Sequence, residues 1–286
     1  MPSVALITCR ELPEPDHDEQ LLLDALREAG LSPEMLAWDD PQSDPGAFDL
    51  CVLRSCWNYF EDAPRFLAWL DAAAAVTDMA NGPEIVRWNH HKAYLQELQE
   101  RGLAVVPTVW CSEGQPSDLA QTMTSQGWDD VVIKPSVSAG SYRTHRFTAQ
   151  QTAAGQVFLD DLLGERDAMI QRTIVPTTSA GERALVCIGG ELTHGVTKAT
   201  RFSGGDESVS EAEPLTVAER DFAERTLAMI DSDLLYARVD VMTDQDGTLL
   251  LAELELMEPS LFLAQHPPAL SRLVTTVVER AGAPRV

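Results

Sequence analysis

The chain has 286 residues, 44% hydrophobic content and a formal charge of −24. That is enough apolar material for a sizeable core spread over two or three lobes, and nothing in it marks disorder, collagen or a disulfide scaffold. So much negative charge repels phosphate backbones and anionic bilayers, which argues against nucleic acid and membrane surfaces as partners.

The first residues carry no basic stretch ahead of the apolar run 4–7. That run is far too short for a leader or a membrane span, so a cytoplasmic location is expected. Residues 4–9 read as a strand of the buried kind. Leu21, Leu22, Ala25 and Leu26 recur at helical spacing within 16–29, and Gly30 stops that helix. Residues 32–38 and 50–55 read as strands, and 63–75 as a helix with Phe66, Leu67 and Leu70 on one face. This alternation predicts a small parallel sheet covered by helices, and Asn81-Gly82-Pro83 punctuates its end. A helix is expected over 89–101 with Asn89 as its cap, a strand over 105–110 and a helix over 117–126. A strand at 131–133 runs into Lys134, followed by the small-residue loop Ser136-Val137-Ser138-Ala139-Gly140-Ser141, and 168–171 reads as another strand. From residue 182 the pattern turns antiparallel. Strands 184–188 and 191–197 flank the hairpin signal Gly189-Gly190, and strands 235–242 and 248–256 flank Asp244-Gln245-Asp246-Gly247. Helices are expected over 217–230 and 268–281, and the acidic stretch 202–214 reads as a mobile loop. The expected class is α/β with α+β lobes: a parallel lobe (1–83), a small central lobe (84–173) and an antiparallel lobe (174–286).

Cation usage is lopsided. Of 21 Lys plus Arg, only Lys92, Lys134 and Lys198 are lysines. A lysine retained where arginine is the rule points to a place needing a compact three-donor ammonium, as phosphate sites do, although three stray surface lysines would look the same. The five cysteines are odd in number and lack CxxC spacing, so reduced packing thiols are expected.

The densest chemistry lies in Tyr236-Ala-Arg238-Val-Asp240-Val-Met242 and Leu249-Leu-Leu-Ala-Glu253-Leu-Glu255. Alternation puts Arg238 and Asp240 on one face, and Glu253 and Glu255 on one face of the partner strand. Three carboxylates so placed repel one another unless a cation sits among them, and a hard divalent ion such as Mg²⁺ fits. A plain polar face of an antiparallel sheet is the other reading.

These residues resemble the ATP-grasp superfamily. The Arg-x-Asp, spacer, Glu-x-Asn pattern of D-alanine–D-alanine ligases and glutathione synthetases is matched by Arg238, Asp240, Glu253 and Glu255, with Glu255 in place of the usual Asn. The resemblance implies an ATP-grasp fold with ATP and Mg²⁺ as cofactors. It implies Asp240, Glu253 and Glu255 as metal ligands, and Lys92, Lys134 and Lys198 at the phosphates with the loop Ser138, Ala139, Gly140 and Ser141. It further implies Gln171, Arg172 and Ile174 of the 171–174 stretch at the adenine, and Glu182 at the ribose. The runs around Arg87-Trp88-Asn89, Gly181-Glu182-Arg183 and residues 253–263 are similar to the D-cycloserine-forming cyclo-ligase group, which cyclises O-ureidoserine with ATP.

The expected activity is therefore an ATP- and Mg-dependent carbon–nitrogen ligase. It would activate a small amino-acid-like substrate as an acyl phosphate, with ring closure as one form of the reaction. Arg238, Lys198 and Arg183 are the expected catalytic cations. The acceptor is expected at the strand end Arg54, Ser55 and Trp57, with Arg201 opposite; each arginine could equally pair with a structural carboxylate. A kinase on the same scaffold and a non-catalytic nucleotide-binding module are the alternatives. Oligomeric state, a homodimer included, is left open.

Overall fold

A computed structural model describes residues 1–174, 181–199 and 208–282. Strands β1 (Ser3–Thr8), β2 (Ser32–Ala37), β3 (Leu50–Ser55) and β4 (Asp78–Ala80) form an all-parallel sheet in the order β2-β1-β3-β4. Its central strands are near-continuous apolar runs because both faces are covered. Val4, Leu6, Leu50 and Val52 face helix α1 (Glu19–Glu28) through Leu22 and Leu26. Ala5, Ile7, Cys51 and Leu53 face helix α2 (Ala63–Ala74) through Phe66 and Leu70.

Next come helices α3 (Pro83–Asn89) and α4 (Tyr94–Glu100), strand β5 (Thr108–Cys111), helix α5 (Leu119–Gln126), strands β6 (Asp130–Pro135) and β7 (His145–Thr148), helix α6 (Thr152–Leu163) and strand β8 (Ala168–Arg172). The strands make an antiparallel sheet in the order β5-β8-β6-β7, with α5 and α6 packed on it. The third sheet, β10-β9-β11-β12, is also antiparallel: β9 (Glu182–Ile188), β10 (Glu191–Lys198), β11 (Tyr236–Thr243) and β12 (Leu249–Glu255). Helices α7 (Val217–Leu227) and α8 (Pro267–Ala281) complete it. Gly189 and Gly190 have φ of 55° and 77°, the left-handed values a tight hairpin turn demands at both central residues. Among the described residues no helix is long and apolar enough to cross a membrane.

Four expectations change. The single helix from Asn89 is instead two helices, and Asn89 is no cap. It ends α3, and its buried amide donates to Leu254 O (2.8 Å) and accepts from Leu256 N (2.9 Å). The run 105–110 divides: Val106 N donates to Leu251 O (3.0 Å) in β12, and only from Thr108 does the chain join the second sheet. The loop 202–214 lies partly outside the described residues; its last part bridges back onto β10 through Val209 and Glu213. Helix α6 and strands β4 and β7 have no counterpart in the sequence reading.

Asn81, where the chain leaves the first sheet, is fully buried at φ 55°. Its amide donates to Tyr236 O (2.8 Å) and Leu256 O (2.6 Å) and accepts from Leu235 N (2.7 Å), tying the first sheet to the third. Replacing it by alanine strands three buried backbone groups, so Asn81→Ala should lose about 3–5 kcal/mol of unfolding free energy in urea titrations. A loss under about 1 kcal/mol would show that these groups find other partners.

Candidate active site

The three sheets converge on a cavity of about 420 Å³. Strand alternation furnishes its charged floor. Arg238 and Asp240 share a face of β11 and stand in register opposite Glu255 and Glu253 of β12, while Ala237, Val239 and Val241 turn into the core. Glu182 and Lys198 are register partners at the ends of β9 and β10. Lys198 Nζ lies 2.7 Å from Glu182 and 2.5 Å from the fully buried Asp240. Arg238 Nε donates to Asp240 at 2.9 Å, and its guanidinium also pairs with Glu255.

The break between α3 and α4 brings Lys92 in. Its backbone N–H donates to Ser136 O (2.8 Å), and its ammonium sits 2.7 Å from Glu253 and 2.9 Å from Ser138 O. Lys134, at the end of β6, reaches the other oxygen of Glu253 at 3.9 Å. Ser138, Ala139, Gly140 and Ser141 line the cavity, with Gly140 and Ser141 both at φ 58°. Gln171, Arg172 and Ile174 line it at the far end. There an apolar wall of Val106, Met242, Ala252 and Leu254 closes the space. Those four residues come from three segments and carry no motif, so the sequence reading did not find them.

Each charge bears the mark of its neighbours. Burial opposes ionisation of Glu253, but Lys92 and Lys134 outweigh it and hold the carboxyl well below the usual range. Burial likewise opposes the charge on Lys198 and Arg238 repels it, yet Asp240 and Glu182 hold its ammonium pKa well above the ordinary value. Burial lowers the Lys134 pKa despite Glu253. Burial pushes Glu255 up to about 7, with Asp240 and Glu253 adding to the effect against Arg238.

Several expected residues lie elsewhere. Arg54 is 2% exposed and does not line the cavity; its Nη1 donates to Pro259 O (3.1 Å) and it packs over the Tyr236 ring. Ser55 is fully buried and donates to Thr8 Oγ1 (2.9 Å). Arg183 follows Glu182 on β9, so alternation turns it to the opposite face, where it pairs with Glu213 (2.9 Å) and Glu219 (2.8 Å). Arg201 lies outside the described residues. Trp57 does line the cavity, together with Tyr59 and Glu258, which the sequence reading left without a role.

Residues 4–81 match the family model described as D-cycloserine synthetase DcsG, N-terminal domain. The cycloserine biosynthesis protein DcsG of Streptomyces lavendulae is 26% identical over 281 residues, covering 93% of this chain and 94% of that protein. The crystal structure of D-cycloserine synthetase DcsG superposes with a TM-score of 0.88 at 26% identity, covering 98% of this chain and 99% of the other. An ATP-grasp RimK domain protein from Sphaerobacter thermophilus shares the fold at a TM-score of 0.69 and 16% identity, with 99% and 100% covered. The chain has the ATP-grasp fold and is similar to D-cycloserine synthetase over nearly its whole length.

In this ATP-grasp fold the metal question turns on the donor set. Among the described residues no three carboxylates, imidazoles or thiols are gathered in ion-binding geometry. Asp240 is turned to Lys198 and Arg238. Glu253 and Glu255 do line the cavity. Two hard carboxylates fit Mg²⁺, which is commonly held by one or two carboxylates plus phosphate oxygens.

Asp240 is the shared counter-ion of two buried cations. Removing its charge takes from each of them one of its two carboxylate partners in a low-dielectric setting. Asp240→Asn should therefore cost about 3–5 kcal/mol of stability in the ligand-free protein, read by chemical denaturation. Near-wild-type stability would mean that Glu182 and Glu255 alone compensate Lys198 and Arg238.

Proposed function

We propose that this ligase binds Mg·ATP in the cavity, activates a carboxylate of a small amino-acid-like substrate by phosphorylation, and lets an amine of the same or a second molecule displace phosphate. The observation that carries this reading is the row of lysines on the cavity wall. All three lysines of the chain line it, each within 4 Å of a carboxylate it can leave for a phosphate.

Lys92, Lys134 and Lys198 neutralise the phosphates, and the backbone of Ser138–Ser141 cradles them, since small residues let main-chain amides approach closely. Backbone groups of the 171–174 stretch read the purine edge, against the apolar wall of Val106, Met242, Ala252 and Leu254. Glu182 accepts from the ribose. Glu253 and Glu255 hold Mg²⁺, which when bound supplies charge neutralisation at the phosphates. Asp240, expected as a third ligand, instead fixes Lys198 and Arg238. Arg238, so fixed, faces the transferring phosphoryl group and stabilises the charge that develops there; such chemistry is mostly positioning and electrostatics. Ring closure of an amino-acid substrate is the form best supported, because the similarity to D-cycloserine synthetase runs through the whole chain. The division into lobes at residues 83 and 173 and a cytoplasmic location belong to the same reading.

The test is a screen of small amino acids with Mg·ATP, reading ADP and free phosphate together. A ligase releases both; a kinase would release ADP and phosphorylated substrate without free phosphate. Glu253→Ala should lower turnover at least about tenfold. Lys134→Ala should be damaged more than Lys134→Arg, because a planar guanidinium replaces a point ammonium only with misfit. Wild-type nucleotide affinity and turnover in Lys134→Ala would remove the phosphate role of that residue.

A further inference from the structure

Glu258 is 8% exposed and lines the cavity, yet among the described residues its carboxylate has no hydrogen-bond or ion-pair partner. Glu182, Asp240, Glu253 and Glu255 are each paired to a lysine or arginine. A buried carboxylate left unpaired is costly, and such an arrangement persists where a ligand supplies the missing charge.

The segment carrying it is built to hold it still. Tyr236 Oη donates to Met257 O (2.9 Å), Trp57 Nε1 to Glu258 O (2.9 Å), Arg54 Nη1 to Pro259 O (3.1 Å) and Arg238 Nη1 to Ser260 O (3.2 Å). Asp18 accepts from Leu261 N (3.2 Å) and Leu263 N (2.8 Å), and between them Phe262 is held at φ 52°. Six backbone groups in seven residues are thus fixed by side chains from elsewhere in the chain. Fixing a main chain in this way pre-positions whatever its side chain binds. The donors Arg54 and Trp57 come from the carboxyl end of β3, the edge of a parallel sheet where ligands sit.

We propose that Glu258 is the seat of a substrate ammonium group, so that the acceptor is a primary amine of the α-amino-acid class held between this carboxylate and the aromatic wall of Trp57 and Tyr59. This rests on the ligase reading above and adds to it the residue that selects the substrate. The rings decide against a second metal ion at this point. A hard divalent ion wants an all-oxygen shell, whereas an ammonium is attracted to aromatic faces as well as to a carboxylate. An ammonium also relieves the crowding by burial and by Glu255 that pushes the Glu258 carboxyl up to about 8. Arg54 becomes a positioning residue: it acts through the Pro259 carbonyl and does not touch the substrate.

The test is calorimetric titration of the full chain, with and without Mg·AMPPNP. The probes are serine of either hand and glycerate, which puts a hydroxyl where serine carries its ammonium. Serine of the accepted hand should bind at least about tenfold tighter than glycerate, the worth of a charged hydrogen bond. Glu258→Gln should erase that preference and leave AMPPNP affinity and its Mg²⁺ dependence within about twofold, whereas Glu258→Asp, which keeps the charge, should retain part of it. Trp57→Leu gives an independent arm: it should weaken serine about threefold or more and leave glycerate unchanged. Equal affinity for the two probes, no serine binding to the wild type, a preference that survives Glu258→Gln, or a loss of Mg·AMPPNP binding in that variant would each overturn the proposal. Amine binding through Glu258 without phosphate release would leave this subsite standing and sink the ligase reading; phosphate release with no amine preference would do the reverse.

Discussion

The structure depends on the mutual compensation of buried charges where the second and third sheets meet. Lys92 and Lys134 share Glu253, Lys198 bridges Glu182 and Asp240, and Arg238 bridges Asp240 and Glu255. None of these ions could be buried alone, because desolvation of a single charge exceeds what ordinary packing returns. Together they can, and the arrangement faces a cavity. Each ammonium therefore has two possible partners: a carboxylate of the protein or an anionic group of a ligand. In the proposed Mg·ATP complex, exchange between them would keep every cation compensated and would free Glu253 for the metal as its lysines turn to phosphate.

That exchange needs a stiff frame, and the frame is made of buried polar side chains bonded to main chain across the seams. Asn81 joins the end of the first sheet to β11 and the segment after β12. Asn89 holds β12 from the end of α3, and the hydroxyl of Tyr94 in α4 accepts from Leu254 N (2.9 Å). The single hydroxyl proton of Tyr236 is shared between Leu53 O and Met257 O, linking the first and third sheets. These contacts set the relation of Lys92, on the short link between two helices, to Glu253, far away on β12. A buried side chain that satisfies backbone groups of a distant element specifies one docking geometry, since any other leaves those groups unpaired.

Legibility in the sequence follows the range of the forces involved. The facing of Arg238, Asp240, Glu253 and Glu255 was readable because it follows from strand alternation and a short hairpin. The Gly189-Gly190 turn was readable because only glycine adopts two consecutive left-handed conformations cheaply. The lysines stood out through composition, and all three do reach the cavity. What failed was long-range. Arg54 resembles a substrate-binding cation at a strand end, but its partner Pro259 is 205 residues away. Arg183 was misjudged for a local reason: its neighbour Glu182 faces the cavity, so it cannot. Asn89 looks like a helix cap because caps and buried bridges use the same side chain. Helix α6 is hidden because its opening residues, Thr152 to Gln156, are small or polar, and β7 because His145 and Arg146 hide its alternation.

The measurement that bears most directly on this account is a crystal structure of the chain with Mg²⁺ and AMPPNP. The account predicts nucleotide in the cavity and Lys92, Lys134 and Lys198 within hydrogen-bonding distance of phosphate oxygens. It also predicts Glu253 and Glu255 at about 2.0–2.1 Å from the metal, with Asp240 still paired to Arg238. Nucleotide bound elsewhere, or bound in the cavity with Glu253 still closed on Lys92 and Lys134, would contradict it.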